Sequence, residues 1–384
     1  MAPRTAAVAA QFQLRPDITF LNHGSFGACP RPVFAVYQEW QRVLESDPVD
    51  FFMRRLRPLL ADARARLAAY VGSEADQIVF IPNATFGINI IARSLAFAPG
   101  DEVLSSNHEY GAVDRTWRYV CERQGARLVH QPIALPVAST ADVVEQLWAG
   151  VTPRTRVISL SQITSPTALI LPIAAICQRA RDAGILTVID GAHAPGQLDL
   201  SLDQLGADFY VGNCHKWLCA PKGAGFLYAH PARQALLEPL VVGWGWQAAS
   251  PGPSQFLDYF EQIGTNDLSA YLSVPAAIDF QAAHEWPTVR SGCHALLAQA
   301  CERIGALTGL PPISPATPDW WVQMCSIPLP SDTDPALGQT LWERDQIEVP
   351  IVAWEDRVFV RVSIQAYNTT QDVDALVNAL QRLL

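Results

Sequence analysis

Hydrophobic positions follow two alternating periods along the first two thirds of the chain. Apolar residues three or four positions apart are typical of amphipathic helices, and short uninterrupted apolar runs are typical of buried strands. The helices predicted in this way are Phe51–Tyr70, Thr85–Phe97, Ala112–Gln124, Asp142–Ala149 and Ile173–Asp182. The predicted strands are Gln77–Ile81, Glu102–Ser105, Arg127–Val129, Arg156–Leu160 and Ile185–Asp190. Strands that alternate with helices predict βαβ units, and therefore an α/β fold with a mostly parallel sheet between helical layers.

The pattern changes after Ser269. The later segment predicts a long helix, two strands and a closing helix, at Ala270–Trp286, Trp321–Ile327, Val358–Ile364 and Thr370–Leu384. Proline-rich stretches predict loops at Pro311–Pro318 and Pro328–Pro335. We therefore expect a large domain over residues 16–269 and a small C-terminal α/β domain over residues 270–384, which the N-terminal segment 1–15 joins.

Composition excludes several classes of function. With 49% hydrophobic and 17% charged residues, the 384-residue chain is typical of a well-packed globular protein. Its formal net charge of −10 argues against nucleic acid as a partner. No apolar run reaches the roughly 18 residues of a membrane span, and the N-terminal apolar stretch is too short for a signal sequence. We expect a cytoplasmic protein without a membrane partner.

The eight cysteines are scattered without a CxxC pair. In a chain of this size without a secretory signal, they are expected to be free thiols instead of a disulfide framework. The chain has no HExxH motif and no paired Cys/His spacing, so no metal site is expected.

Two polar residues follow apolar runs at positions that favour a site. Asp190 ends the run Ile185–Asp190, and Lys216 lies just past a second apolar run, among apolar neighbours. At the carboxyl ends of parallel strands both would face one crevice. Pyridoxal phosphate requires a lysine amine for its Schiff base and an acid at its pyridine nitrogen. The alternatives are a surface lysine after a strand, and an aspartate that caps a helix or forms a turn. The apolar neighbours of Lys216 favour a desolvated lysine, which has a lowered pKa and is a usable nucleophile toward an aldehyde.

An anion site is predicted between a strand and a helix at Asn83–Gly87. The free N–H groups of a helix N-terminus attract a phosphate, and Thr85 adds a hydroxyl donor. An ordinary N-cap threonine is the alternative.

Together these motifs resemble the class V aminotransferase superfamily of pyridoxal phosphate enzymes (fold type I), and most closely its isopenicillin N epimerase-like branch. Cysteine desulfurases are more distant relatives. The segments that carry the resemblance run through almost the whole chain, at Leu21–Gly27, Asn83–Thr85, Val188–His193, Gly212–Trp217, Gly264–Thr265, Arg361–Ser363 and Tyr367–Asn368. The resemblance implies a mostly parallel seven-stranded sheet between helices, a small C-terminal α/β domain, and a homodimer with shared active sites.

The resemblance also implies roles for individual residues around the cofactor. Lys216 would form the Schiff base and then move the α-proton, and Asp190 would pair with the pyridine nitrogen. Tyr110 would stack on the ring and His193 would lie near its phenolic oxygen. Ser165 stands where many relatives carry an asparagine near that oxygen. The phosphate would be held by Ala84, Thr85, Asn213 and His215, with Thr265 reaching the phosphate of a neighbouring subunit.

On the substrate side, the resemblance implies a carboxylate clamp at Arg361, with Asn22 and His23 lining the pocket. A solvated arginine on an edge strand is the alternative for Arg361, and an N-terminal loop or capped turn is the alternative for Asn22 and His23. The Trp-rich segment Val242–Trp246 is either an apolar wall of the site or part of a dimer core.

Several reactions at the α-carbon of a small amino-acid-type substrate remain open. The first expectation is an epimerase or racemase, which needs an acid/base opposite Lys216, for which Tyr110 and His23 are the candidates. The alternatives are a C–S or other β-eliminating lyase, an aminotransferase, and a silent binding module with the same fold. Cysteine desulfurases carry a nucleophilic cysteine shortly before the clamp arginine. The corresponding stretch Glu348–Arg357 has none, so a persulfide route is not expected.

Overall fold

The computed structural model describes residues 8–252 and 254–384. Its strands are β1 (Thr19–Phe20), β2 (Ile78–Ile81), β3 (Glu102–Ser106), β4 (Arg127–Gln131), β5 (Thr155–Ser161), β6 (Leu186–Gly191), β7 (Phe209–Asn213), β8 (Gly225–Ala229), β9 (Met324–Leu329), β10 (Ile347–Glu348), β11 (Ile351–Trp354) and β12 (Arg357–Ser363). The strands predicted in the first two thirds of the chain are confirmed, with ends that differ by one or two residues.

The helices alternate with these strands as predicted. They are α1 (His23–Phe26), α2 (Arg31–Ser46), α3 (Pro48–Asp50), α4 (Leu56–Val71), α5 (Ala84–Ser94), α6 (Gly111–Gln124), α7 (Thr140–Trp148), α8 (Ile173–Asp182), α9 (Leu202–Leu205), α10 (Gln255–Glu261), α11 (Ser269–Leu272), α12 (Val274–Ala283), α13 (Trp286–Thr308), α14 (Leu337–Asp345) and α15 (Thr370–Leu383). A π-helical turn at Phe51–Arg55 precedes α4, and 3₁₀ turns lie at Ala75–Gln77 and Pro231–Leu236.

Seven strands form the central sheet in the order β2-β8-β7-β6-β5-β3-β4. Strands β3, β4, β5, β6 and β7 all run parallel to one another. Only β8 runs antiparallel to the two strands beside it, β2 and β7. Successive residues of a strand point to opposite faces of a sheet. Along β7, accordingly, Phe209 and Val211 belong to one hydrophobic cluster and Tyr210 to the other. Both faces are therefore covered, which explains the uninterrupted apolar runs.

Helices from each side complete these two clusters. One includes Ile88 of α5 and Val113 of α6, and the other includes Leu67 of α4, Val143 of α7 and Ile176 of α8. Because β2 and the five parallel strands run in one direction, their carboxyl ends meet at a single edge of the sheet.

A separate three-stranded antiparallel sheet of order β11-β12-β9 follows in the C-terminal part, and β1 pairs with β10 in parallel. Arg361 lies on β12, the middle strand, so the edge-strand alternative for this residue is wrong. A bridge between Asn22 and Ser363 ties the N-terminal segment to the end of the same strand. The predicted domain boundary after residue 269 stays a prediction, and residues 1–7 of the predicted N-terminal segment lie outside the described residues.

The single helix predicted at Ala270–Trp286 is wrong. The segment forms α11 and α12, and the chain then turns through Glu285, which has a left-handed φ of 52°, before α13 begins at Trp286. Pro287 starts the new helix, because a proline lacks the N–H that a continuing helix needs. The 23-residue helix α13 was not predicted.

Two further boundaries in this part differ. Strand β9 starts at Met324, three residues later than predicted, and extends through Pro328 into a predicted loop. A proline is tolerated there because β9 pairs only with β12 and is an edge strand.

Among the described residues, no helix is long and apolar enough to cross a membrane. All eight cysteines are free thiols. Over residues 8–252 and 254–384, no group of three or more His, Cys, Asp or Glu side chains is arranged to hold a metal ion.

Candidate active site

Lys216 lies in the turn that follows β7, at the carboxyl edge of the central sheet. Two glycines with positive φ allow other segments to approach this turn. A Cβ on Gly27 would lie 2.1 Å from the His215 carbonyl oxygen, and a Cβ on Gly196 would lie 2.2 Å from the Trp217 carbonyl oxygen. Burial lowers the pKa of Lys216 to about 8, an effect that the Asp190 carboxylate opposes and the Arg361 guanidinium reinforces. The turn is therefore closely packed, and the lysine loses its proton more readily than an exposed lysine does.

His193 lies between Lys216 and Trp217. Its Nε2 is 3.2 Å from Lys216 Nζ, and its Nδ1 accepts a 3.2 Å hydrogen bond from the indole N–H of Trp217. Burial and the charges of Lys216 and Arg361 lower the pKa of His193 well below its ordinary value, so the imidazole is neutral.

Asp190 stands near the end of β6, with 5% of its surface exposed. Its Oδ1 accepts a 2.9 Å hydrogen bond from the N–H of Ala192, and its second oxygen makes no hydrogen bond within the described chain. Burial raises the pKa of Asp190, while the Ala192 N–H and Lys216 act in the opposite direction. A buried carboxylate with a free oxygen fits a protonated ring nitrogen, the group that pyridoxal phosphate presents.

The predicted phosphate site is the N-terminus of α5. Asn83 is the N-cap residue, and its Oδ1 accepts from the N–H of Phe86 at 3.0 Å, so the N-cap alternative for Thr85 is wrong. The Ala84 N–H donates to Asn213 Oδ1 at 2.8 Å, which leaves the Asn213 amide hydrogens as donors. The Thr85 N–H has no partner in the part of the chain that the structure describes. These donors fit a phosphate.

His215 lies two residues after Asn213, in the turn that follows β7. Its Nδ1–H donates to the Ala224 carbonyl oxygen at 3.0 Å, so its Nε2 is left for another partner. Burial lowers the pKa of His215 to about 4.

Arg361 is a buried cation whose partners are all neutral. Its Nη1 donates to the Ser165 carbonyl oxygen at 2.7 Å and to Ser165 Oγ at 3.2 Å, and its Nη2 donates to Ser25 Oγ at 3.1 Å. The Nε–H has no partner, and no carboxylate pairs with this guanidinium within the described chain. Burial lowers the pKa of Arg361 to about 10. A desolvated guanidinium without a counter-ion fits a ligand carboxylate.

Ser165 and Asn22 support this guanidinium. Ser165 contributes both of its oxygens to Arg361, which is a contact that the sequence does not predict. Asn22 Oδ1 accepts from Ser25 Oγ at 2.5 Å, and Asn22 Nδ2 donates to Glu348 Oε1 at 3.1 Å. Asn22 therefore acts on Arg361 through Ser25. It is also the N-cap residue of α1, which fits the capped-turn alternative, and its role toward a substrate stays a prediction.

His23 is fully buried below the lysine turn. Its Nδ1 is 3.0 Å from the Tyr367 hydroxyl, and its Nε2 is 3.1 Å from the Lys216 carbonyl oxygen. Burial lowers the pKa of His23 to about 3. Because both ring nitrogens are already bonded to the protein, His23 is a poor candidate for an acid/base, and Tyr110 is the remaining one.

Two predicted residues lie apart from this network. Tyr110 precedes α6 as its N-cap residue and is 48% exposed, although it lies near enough to Arg361 to raise the pKa of that guanidinium. Thr265 is exposed and makes no hydrogen bond to the other predicted site residues in the described chain. Their roles stay predictions.

Glu109 is a site residue that sequence analysis missed. Its Oε1 accepts from Ser106 Oγ at 2.6 Å, and its Oε2 accepts from the N–H and Oγ of Ser161, at 2.8 and 2.6 Å. Ser161 pairs in register with Asp190 on the adjacent strand. Burial, aided by the nearby Asp190 and opposed by the serine donors, raises the pKa of Glu109 to about 7. The available signal was an acidic residue just after β3, next to Tyr110.

Known proteins match this chain over most of its length. The family model for class V aminotransferases matches residues 35–376. The chain is 39% identical to an isopenicillin N epimerase of Amycolatopsis lactamdurans, over 100% of this chain and 99% of that protein. It is 35% identical to an isopenicillin N epimerase of Streptomyces clavuligerus, over 96% of each. A putative L-cysteine desulfhydrase of Oryza sativa subsp. japonica is 30% identical, over 100% of this chain and 87% of that protein.

Solved structures share the fold. A cysteine desulfurase of Escherichia coli superposes with a TM-score of 0.80 at 23% identity, over 99% of this chain and 98% of that chain. A variant of C-DES with glycine covalently linked to its PLP cofactor superposes with a TM-score of 0.83 at 22% identity, over 98% and 99%. The predicted fold type I architecture, with its mostly parallel seven-stranded sheet, is confirmed.

Proposed function

The chain belongs to the class V aminotransferase family and is a pyridoxal phosphate-dependent enzyme, and we propose that it is an epimerase that removes and returns the α-proton of an amino acid. One arrangement carries the proposal. A lysine amine with a lowered pKa lies close enough to a buried carboxylate and to a buried guanidinium without a counter-ion for both to act on its charge. The guanidinium selects a carboxylate-bearing substrate, and the lysine is available to take its proton.

Residues of the sheet edge would hold the cofactor. Asp190 would bind the pyridine nitrogen, and the phosphate would meet the Thr85 N–H, the Asn213 amide and His215. Tyr110 would cover the ring, and His193 would lie beside its phenolic oxygen. When bound, pyridoxal phosphate withdraws electrons from the α-carbon and so acidifies the α-proton.

Lys216 is the proposed acid/base on one face of the substrate. With a pKa of about 8 its Nζ carries a lone pair in about a tenth of molecules at pH 7, far more than an ordinary lysine, so it accepts the α-proton. Arg361 orients the substrate by its carboxylate. Epimerisation also requires a group that returns a proton on the opposite face, and Tyr110 is the residue we propose, because His23 is committed to the fold by both ring nitrogens.

A lyase is the second candidate, favoured by the relatives named L-cysteine desulfhydrases. In that reaction the same deprotonation at the α-carbon is followed by loss of a β-substituent. A persulfide route is not supported. The stretch Glu348–Arg357 has no cysteine and folds into β10, β11 and the turn to β12. Cys214 and Cys219 are fully buried, and burial raises the pKa of both thiols.

Product analysis separates these reactions. The holoenzyme is incubated with a panel of L- and D-amino acids, including cysteine and cysteine S-conjugates, and followed by chiral chromatography together with assays for ketoacid and ammonia. The proposal expects the opposite enantiomer to accumulate without ketoacid, and Tyr110→Phe to abolish its formation. Stoichiometric ketoacid and ammonia would make the protein a lyase. Amino-group transfer to an added ketoacid would make it an aminotransferase.

We also propose a homodimer whose sites are shared between subunits. An apolar stretch with Val242 at 65% and Trp244 at 90% exposure favours an interface, and the exposed Thr265 would then reach the partner's phosphate. Light scattering tests the dimer. Mixing Lys216→Ala and Thr265→Ala chains tests the sharing, since a mixed dimer would regain one site with both wild-type residues.

We also propose a cytoplasmic location, which eight free thiols favour and cell fractionation tests.

A further inference from the structure

Trp217 directly follows the reactive lysine in the sequence, and its side chain contacts His193. The residue is fully buried, and its indole N–H donates to His193 Nδ1 at 3.2 Å. The opposite nitrogen of the same imidazole, Nε2, lies 3.2 Å from Lys216 Nζ. One imidazole therefore connects a tryptophan to the amine that the proposed function uses.

The donor and acceptor properties of these groups determine where the protons lie. An indole N–H only donates, so His193 Nδ1 must carry a lone pair, which excludes the imidazolium form. A neutral imidazole has one N–H, so its proton lies on Nε2. That N–H needs an acceptor, and Lys216 Nζ accepts only as an uncharged amine, because an ammonium group has no lone pair.

We propose that Trp217 is a positioning residue, which fixes the proton of His193 on Nε2 and thereby favours the free-amine form of Lys216 over its ammonium form. The inference deepens the proposed function and rests on it for the identity of the reacting amine. It does not depend on the reaction type.

The geometry around Trp217 keeps its indole in this orientation. Its carbonyl oxygen accepts a 2.8 Å hydrogen bond from Gln281 Nε2, and its ring packs on His23 with centroids 4.8 Å apart. Gly196, with φ of 93°, brings its backbone against the Trp217 carbonyl, where a Cβ would lie 2.2 Å from the oxygen. The backbone of Trp217 is therefore held at its carbonyl, and its ring is held by His23 and by a buried cluster with Ile163, Ala168 and Met324.

Charged and titratable groups on several elements also act on this amine. Asp190 of β6 raises the pKa of Lys216, and Arg361 of β12 lowers it. His215 and Arg361 lower the pKa of His193. A substitution of Trp217 leaves all of these groups in place, so it isolates the contribution of the tautomer.

The test measures Lys216 in the cofactor-free protein. Competitive acetylation with acetic anhydride, quantified by mass spectrometry of the Lys216 peptide, gives the pH midpoint of its amine. In Trp217→Phe the proton of His193 is free to move to Nδ1, and Nε2 then accepts from the ammonium form. We expect the midpoint to rise by about one to two pH units, with acetylation near neutral pH slowed about ten- to a hundredfold.

The matched control is Trp286→Phe. Trp286 is also buried, but its indole N–H has no partner, so the same substitution removes no hydrogen bond and should leave the midpoint unchanged. His193→Gln should also keep a low midpoint, because an amide accepts from Trp217 at Oε1 and donates to Lys216 at Nε2.

Three results would overturn the proposal. These are an unchanged midpoint in Trp217→Phe, an equal rise in Trp286→Phe, or a rise in His193→Gln as large as in Trp217→Phe. If Trp217→Phe does not fold, the tautomer of His193 in the wild-type protein tests the proposal instead. A long-range ¹H–¹⁵N correlation spectrum, assigned by the signals missing in His193→Gln, must show the Nε2–H tautomer, and an Nδ1–H tautomer refutes the proposal. Because no turnover is measured, a failure of the proposed reaction leaves these readouts unaffected.

Discussion

The substitution Arg361→Gln tests the proposed carboxylate clamp. The guanidinium is buried among neutral hydrogen-bond partners, with its Nε–H unpaired and only 7% of its surface exposed. Its pKa falls from 12.5 to about 10 by burial, which corresponds to about 3 kcal/mol spent on keeping the charge without a counter-ion. A bound carboxylate recovers this free energy. Loss of the cation should therefore weaken carboxylate binding by about 3 kcal/mol, or roughly a hundredfold.

The assay compares two substrates in two variants. Steady-state kinetics are measured with the amino acid that turns over fastest and with its amide, which lacks the negative charge. We expect Arg361→Gln to raise KM for the amino acid with a smaller effect on kcat, because the carboxylate does not react. KM for the amide should change little. Arg357→Gln is the matched control, since Arg357 lies on the same strand and is exposed.

Two outcomes would refute this reasoning. KM for the amino acid could stay within a few-fold of the wild-type value, or Arg361→Gln could impair the acid and the amide equally. In either case Arg361 would serve only to anchor Ser25 and Ser165, and the substrate carboxylate would be bound elsewhere.

Three further substitutions are expected to act in defined directions. Lys216→Ala should abolish covalent attachment of the cofactor, scored by borohydride reduction and mass spectrometry, whereas Lys222→Ala should retain it. Asp190→Asn should lower the pKa of Lys216 further, because the carboxylate raises it, so the pH midpoint of acetylation should fall instead of rising. Glu109→Gln should change the pH dependence of unfolding in the cofactor-free protein. The folded pKa of Glu109, about 7, exceeds its ordinary value of 4.5, so the folded state binds the extra proton and wild-type stability falls as pH rises between these values. Chemical denaturation should show that the glutamine variant lacks this fall of about 3 kcal/mol, and identical pH profiles would contradict the assignment.

Strand β8 was not predicted from the apolar pattern, whereas β2, β3, β5 and β6 were predicted because they are buried over most of their length on both faces. Such strands read as apolar runs, and the helices between them keep a regular period, as in Ile173–Asp182, which is confirmed at both ends. The rule that parallel strands present ligands at their carboxyl ends also explains why Asp190 and Lys216 were predicted to meet.

The C-terminal part was harder to predict because its apolar pattern continues across the break between two helices, α12 and α13. Alanines and aromatic residues continue on both sides of Glu285, so the periodicity alone does not show the turn, and only Pro287 marks the start of a new helix. Contacts between segments that are far apart in the sequence could not be predicted either. Neither the burial of Glu109 beside Ser161 nor the hydrogen bond from Trp217 to His193 can be read from residue spacing, because each depends on tertiary packing.

The most direct test of the account is whether Lys216 exchanges the α-proton of an amino acid with solvent. Proton NMR in D₂O follows the holoenzyme with a panel of amino acids, and Lys216→Ala, reconstituted with the cofactor, serves as the comparison. The account predicts that the α-proton signal of at least one amino acid disappears while its other signals persist, and that the variant leaves it intact. A holoenzyme that exchanges no α-proton, or a Lys216→Ala variant that exchanges it as fast as the wild type, would contradict the central claim.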